Sequence, residues 1–159
     1  MIQVKNAAQI AMMRDAGKIT GEALQMAGEM VRPGITTKEI DTAIRSYITK
    51  CGATPSFLNY GGFPASSCIS VNEVVIHGIP GKRVLQEGDI VSIDVGAFIG
   101  GFHGDCAATF ACGTISDEAK KLIDVTRESF FEGITREYFA KAIVVQLLVA
   151  IFVALWSLL

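Results

Sequence analysis

A Gly-Gly pair at 100–101, set between two runs of β-forming residues, constrains this chain more than any other feature. A two-residue hairpin loop asks for positive φ, which glycine adopts without steric cost. With the turn placed there, Ile99 pairs with Phe102, Val95 with Cys106, Ile93 with Ala108 and Val91 with Phe110. Side chains alternate along a strand, so these residues share one apolar face, and that face belongs to a core. The other face carries Ser92, Asp94, Phe98, His103, Asp105 and Thr109. Asp94 lies opposite Ala107 and Asp105 opposite Gly96. The aspartates are therefore diagonal neighbours, with Cβ atoms about 7–8 Å apart or less. Two carboxylates this close repel unless a proton or cation sits between them, and a divalent metal is the natural occupant. Spacing alone leaves a second reading open, in which both are solvated side chains on an exposed hairpin face. His103 is a rival ligand on the same face, or else a surface or packed histidine.

Helical signals precede the hairpin. Ile10, Met13, Ala16, Ala23, Leu24, Ala27 and Val31 recur at three- and four-residue spacing and predict a helix over 6–31, with Asn6 as N-cap and Pro33-Gly34 as its stop. Thr36 and Glu39 fit a capping box that opens a second helix over 37–50, with Ile40, Ile44, Tyr47 and Ile48 as its apolar stripe and Lys50 and Gly52 at its end. Between Ser56 and Gly113, short β-rich runs broken by Gly and Pro (CISV, EVVIHGIP, DIVSIDVGAF, FHGDCAATFACG) predict an antiparallel sheet. Ser116 then caps a third helix with Asp117 and Glu118 in its first turn and Leu122, Ile123, Thr126 and Phe130 on its apolar face.

Composition narrows the function classes. A net charge of −2 without a Lys/Arg run gives no basis for nucleic-acid specificity. Cys51, Cys68, Cys106 and Cys112 show neither CxxC nor zinc-finger spacing, so reduced thiols in a reducing compartment are expected. The N-terminal stretch has charges among its apolar residues and does not read as a signal peptide. Half of all residues are hydrophobic, and the excess sits in residues 143–159, an uncharged run with two polar residues. As a helix it would span about 25 Å, at the short limit for crossing a bilayer.

Three segments together, MRDAGKI (13–19), NYGGFPASSCISVNEVVIHGIP (59–80) and EGDIVSIDVGAFIGGFHGD (87–105), resemble type I methionine aminopeptidases. The likeness runs from the N-terminus to about Ile134. It implies an α+β, pita-bread (creatinase/aminopeptidase) fold made of two similar halves, of which residues 1–134 are the N-terminal half and 135–159 a separate apolar tail. It also implies metal-dependent removal of the N-terminal methionine from nascent polypeptides in the cytoplasm, with the ribosome as an associated partner. The cofactor implied is a pair of divalent ions (Co, Mn, Fe or Zn) held by two Asp, one His and two Glu. Asp94 and Asp105 match the two Asp. His77 matches the histidine that contacts substrate. Phe57, Tyr60, Phe63 and Cys68 match the methionine pocket. A flexible thioether favours aromatic surroundings, which agrees with that assignment. A histidine with an ordinary pKa near 6.5 can donate to a carbonyl or carry a proton.

The metal-binding His and both Glu of that family have no match here. After Ile134 the sequence reads TREYFAKAIVVQLLVAIFVALWSLL, unlike the family's second half. A frameshifted or truncated reading frame explains this best. A membrane anchor through 143–159 with Trp156 at an interface comes second, and a helix covering the sheet third. The expectation is a chain inactive by itself, with exposed apolar sheet surface that favours self-association. The alternatives are a non-catalytic binding module that keeps the peptide pocket, and a membrane-tethered interaction protein.

Overall fold

The computed structural model describes residues 4–135, so the expectations placed on the 143–159 tail lie outside the described residues. The chain forms two compact units, one ending at Ile115 and one beginning at Ser116.

In the first unit, α1 (Ala7–Met30) begins where Asn6 accepts the amide of Gln9 while the Gln9 side chain reaches back to the Asn6 amide. This reciprocal pair satisfies two of the otherwise unpaired donors at a helix start. α2 (Thr37–Lys50) opens on the same device, with Thr36 and Glu39. Two further amides of its first turn, on Thr37 and Lys38, donate to the carbonyls of Arg83 and Gly81. Gly52 follows at φ +74°, the left-handed position that ends a helix most cheaply when glycine fills it.

The sheet is antiparallel and has four strands: β1 (Thr54–Pro55), β2 (Ser67–Val71), β3 (Ile90–Ile99) and β4 (Phe102–Ala111). β3 and β4 close through Gly100 and Gly101, both at positive φ, in the register expected from the turn, Val91 with Phe110 through Ile99 with Phe102. β3 is central. β1 and β2 pair in succession along one of its edges and β4 along the other. No strand among the described residues pairs with the outer edge of β4.

One face of the sheet is the core. Val91, Ile93, Val95 and Ala97 of β3 and Ile69 and Val71 of β2 pack with Ala23, Leu24 and Ala27 of α1 and Ile40, Ile44 and Ile48 of α2. At the N-terminal end of α1 the expected stripe departs from the structure: Ile10 and Met13 stay 43% and 40% exposed. α1 lies so close to β4 that Gly104 cannot carry a side chain. A Cβ there would overlap the Ala16 carbonyl and the Thr20 hydroxyl, which are themselves hydrogen-bonded at 2.8 Å. Gly104→Ala is expected to lower the free energy of unfolding by about 1–3 kcal/mol, because helix and sheet must separate to admit the methyl group; urea denaturation measures it.

The EVVIHGIP run is not a strand. Residues 72–79 leave the sheet as a loop, with Asn72 and His77 at φ +53° and +56°. Polar anchors outweigh β propensity here. The Asn72 amide group donates to Asp89 (2.8 Å), its carbonyl accepts the Ile90 amide (3.0 Å), and Asp89 also accepts the Gln86 amide (2.9 Å).

The second unit contains α3 (Asp117–Thr135), whose start is capped by the Ser116 hydroxyl accepting the Ala119 amide.

Candidate metal centre

Alternation along β3 and β4 places Asp94 and Asp105 on the face opposite the core. Asp94 pairs with Ala107 across one ladder and with Cys68 across the other, while Asp105 pairs with Gly96. The residues directly opposite the carboxylates are thus Ala, Cys and Gly. Their side chains are small, and the space above Gly96 is taken by the Phe57 ring and Ser56.

The electrostatics of the pair are unusual. Asp94 Oδ1 is buried and has no hydrogen-bond partner among the described residues. An orphaned buried acceptor costs the desolvation of that group with nothing in return. Burial, then the charge of Asp105, then a hydrogen bond between the two carboxyls when one is protonated, push the Asp94 pKa up to about 6. His77 and the Val95 amide oppose this rise. A buried acid beside a second carboxylate is suited to share a cation with it, and an oxygen lacking a donor suits a hard divalent ion. The two aspartates therefore fit a metal. The set is nonetheless short: no group of three or more His, Cys, Asp or Glu side chains that could hold a metal ion occurs among the described residues.

His77 reaches this face because its loop is tied to β2. The Ile69 amide donates to the Gly78 carbonyl (2.8 Å), and the Gly78 amide donates to the Ser70 hydroxyl (3.0 Å). A Cβ on Gly78 would come within 2.8 Å of Ser70 Cα, so only glycine permits this approach. His77 is exposed, yet near enough for its charge to act on Asp94. Burial, reinforced by Asp94 and Asp105, pushes the Cys68 thiol up to about 11. It stays protonated near neutrality and serves as a small apolar wall, since a nucleophile would need the thiolate.

Phe57 lies across Gly96, where a Cβ would meet its ring at 2.8 Å and Ser56 Cβ at 2.9 Å. Phe63 is half-buried at the end of the turn around Tyr60–Gly62, and Tyr60 is 80% exposed. Phe57 and Cys68 thus lie beside the carboxylates, while Tyr60 faces solvent. His103 is engaged elsewhere: its Nδ1 lies 2.8 Å from Ser56 Oγ and its ring stacks at 4.5 Å on Phe98. Sequence reasoning missed Ser56, which joins the turn before Phe57 to the strand of Asp105. It also missed Gly96, although a glycine opposite an acid on a strand was a visible signal of a close approach.

The sequence model of metallopeptidase family M24 matches residues 11–151. A methionine aminopeptidase of Clostridium perfringens is 59% identical over 138 residues, which cover 87% of this chain and 55% of that protein. Methionine aminopeptidase 1 of Bacillus subtilis is 48% identical over 134 residues, 84% of this chain and 54% of that protein. Among solved structures, methionine aminopeptidase from Rickettsia prowazekii superposes with a TM-score of 0.83 at 39% identity, over 84% of this chain and 54% of that one. An Xaa-Pro dipeptidase from Bacillus anthracis superposes with a TM-score of 0.71 at 25% identity, over 82% of this chain and 35% of that one. The chain spans about half the length of the methionine aminopeptidases it matches.

Proposed function

We infer that this chain, which belongs to metallopeptidase family M24 and has its pita-bread fold, forms the two-aspartate side of a methionine aminopeptidase centre acting on the N-termini of nascent polypeptides. The observation that carries this reading is the buried, unpartnered Asp94 Oδ1 beside Asp105. Family M24 implies divalent metal cofactors. In this reading Asp94 and Asp105 hold them, with Co, Mn, Fe or Zn as the candidate ions. The metal would supply Lewis-acid polarisation of the scissile carbonyl and a water acidic enough to attack near neutral pH. The chain's own residues do the rest. His77, exposed beside Asp94, donates a hydrogen bond to the substrate carbonyl or carries a proton. Phe57, Tyr60, Phe63 and Cys68 receive the methionine side chain, with the protonated Cys68 thiol adding polarisable surface next to the acids.

The remaining ligands, one His and two Glu in the methionine aminopeptidase pattern, have no counterpart in this sequence, and we place them in the half of the relatives' length that the chain does not span. Val75, Ile76 and Ile79 of the His77 loop are 54%, 67% and 63% exposed. That apolar stretch favours self-association when the chain stands alone. A cytoplasmic location and the ribosome as neighbour follow from the same reading. No helix of the described residues is long and apolar enough to cross a membrane.

Mn²⁺ binding followed by electron paramagnetic resonance tests the proposal. One weak site is expected, with Kd about 10⁻⁴ M or higher because most ligands would be water. Asp94→Asn should abolish it. Equal binding by the chain and by Asp94→Asn would remove the basis of the assignment.

A further inference from the structure

The site depends on β2 holding one register. Cys68 faces Asp94 there, and a slip of one residue would turn Cys68 to the other face and bring Ser67 or Ile69 against the carboxylates. β2 is five residues long, and its ladder with β3 ends at Ser67 opposite Val95. At that end β1 takes over the edge of β3, and the Gly96 carbonyl accepts the Ser56 amide at 2.9 Å. The amide of Ser66 therefore finds no partner on β3. A side chain from another element supplies it. Asp41 of α2, 2% exposed, accepts the amides of Ser66 (2.9 Å) and Ser67 (3.0 Å) and the hydroxyl of Ser67 (3.0 Å), all on Oδ1. Its other oxygen meets Lys38 Nζ at 3.3 Å. Ser66 and Ser67 are themselves buried.

We propose that Asp41 is a positioning residue that pins the register of β2, so that the small thiol of Cys68 faces Asp94. Three donors converge on one carboxylate oxygen at the residues just before Cys68; a slip that moved Cys68 into the place of Ser67 would give up the hydroxyl, and the opposite slip would carry Ile69 out of the core. The importance of that register for metal binding rests on the function proposed above; the register itself does not.

The test is alkylation of Cys68 in the folded 159-residue chain by a neutral maleimide, resolved from the other thiols by peptide mass spectrometry. Asp41→Ala is expected to label Cys68 about tenfold faster or more, because β2 opens locally. Asp41→Asn keeps the acceptor oxygen and should remain within about twofold of the parent. Ile48→Val loosens the same helix from within the core and should leave Cys68 within about twofold. Should Asp41→Ala fail to fold, Ser67→Ala removes one of the three donors and should accelerate labelling about threefold. Parent-like labelling in Asp41→Ala, or in Ser67→Ala if that variant has to decide, overturns the proposal. So does an acceleration in Ile48→Val equal to that in Asp41→Ala, since Asp41 would then be only a source of stability. Mn²⁺ titration of the parent chain runs in parallel. Absence of binding there would sink the metal assignment and leave the register to be judged by Cys68 alone.

Discussion

Incubated with Met-Ala-Ser and Mn²⁺ or Co²⁺, the 159-residue chain is expected to release methionine at least about 10³-fold more slowly than an intact methionine aminopeptidase assayed beside it. Two losses compound. Asp94 and Asp105 form no group of three ligands with any other described side chain, so a bound ion would keep most of its water and bind weakly. The described residues also offer no third carboxylate beside the pair to take the proton from an attacking water, which leaves that task to the exposed His77 alone, and a well-placed base contributes about 10²–10⁴ in rate. Protonated Cys68 cannot replace it. Turnover within about tenfold of the intact enzyme would mean that the chain completes its own site or borrows a second copy to do so. Repeating the assay across a range of protein concentrations separates those two cases.

In buffer stripped of metal by a chelator, the chain is expected to lose thermal stability as pH rises from about 4 to 7, by roughly 2–4 °C if about 1 kcal/mol is at stake. Asp94 holds its proton more tightly folded, with a pKa of about 6, than at its ordinary value of 3.8. Its contribution is fully present below the lower value and disappears as pH climbs through the upper one. Asp89 acts in the opposite direction and in a different window. Burial alone would raise its pKa, but the Gln86 amide, Asn72 and Arg83 outweigh burial and lower it. Its stabilisation is lost only as pH falls below the ordinary carboxylate range. Asp105→Asn should flatten the Asp94 slope without erasing it, since burial is the larger cause and the neighbouring charge the second. Mn²⁺ added at neutral pH should restore part of the lost stability in the parent and none in Asp105→Asn. A melting temperature independent of pH between 4 and 7 would show that neither burial nor Asp105 raises the Asp94 pKa in solution.

The hairpin was legible in the sequence because glycine chemistry and two-residue alternation are both local. Once Gly100-Gly101 is the turn, the cross-strand partners of Asp94 and Asp105 follow by counting, and the structure agrees pair by pair. The capping boxes at Asn6 and Thr36 were readable for the same reason, with partners three residues apart. What stayed hidden depends on distant groups. Asp41 meets Ser66 and Ser67 across 25 and 26 positions, and Ser56 meets His103 across 47, so no periodicity announces them. The EVVIHGIP run misled because its apolar residues suggest a strand, whereas anchors from Asn72 and Gly78 hold it as a loop with much of that apolar surface uncovered. His103, weighed as a ligand from its shared face, is turned toward Ser56 and Phe98.

The two acids differ in how firmly the backbone holds them. Asp94 sits on a strand bonded along both edges, while Asp105 sits on one whose outer edge meets no described strand. Amide groups with one neighbouring ladder open more readily than those with two. Among the described residues, the acid on β4 is therefore expected to loosen before the one on β3.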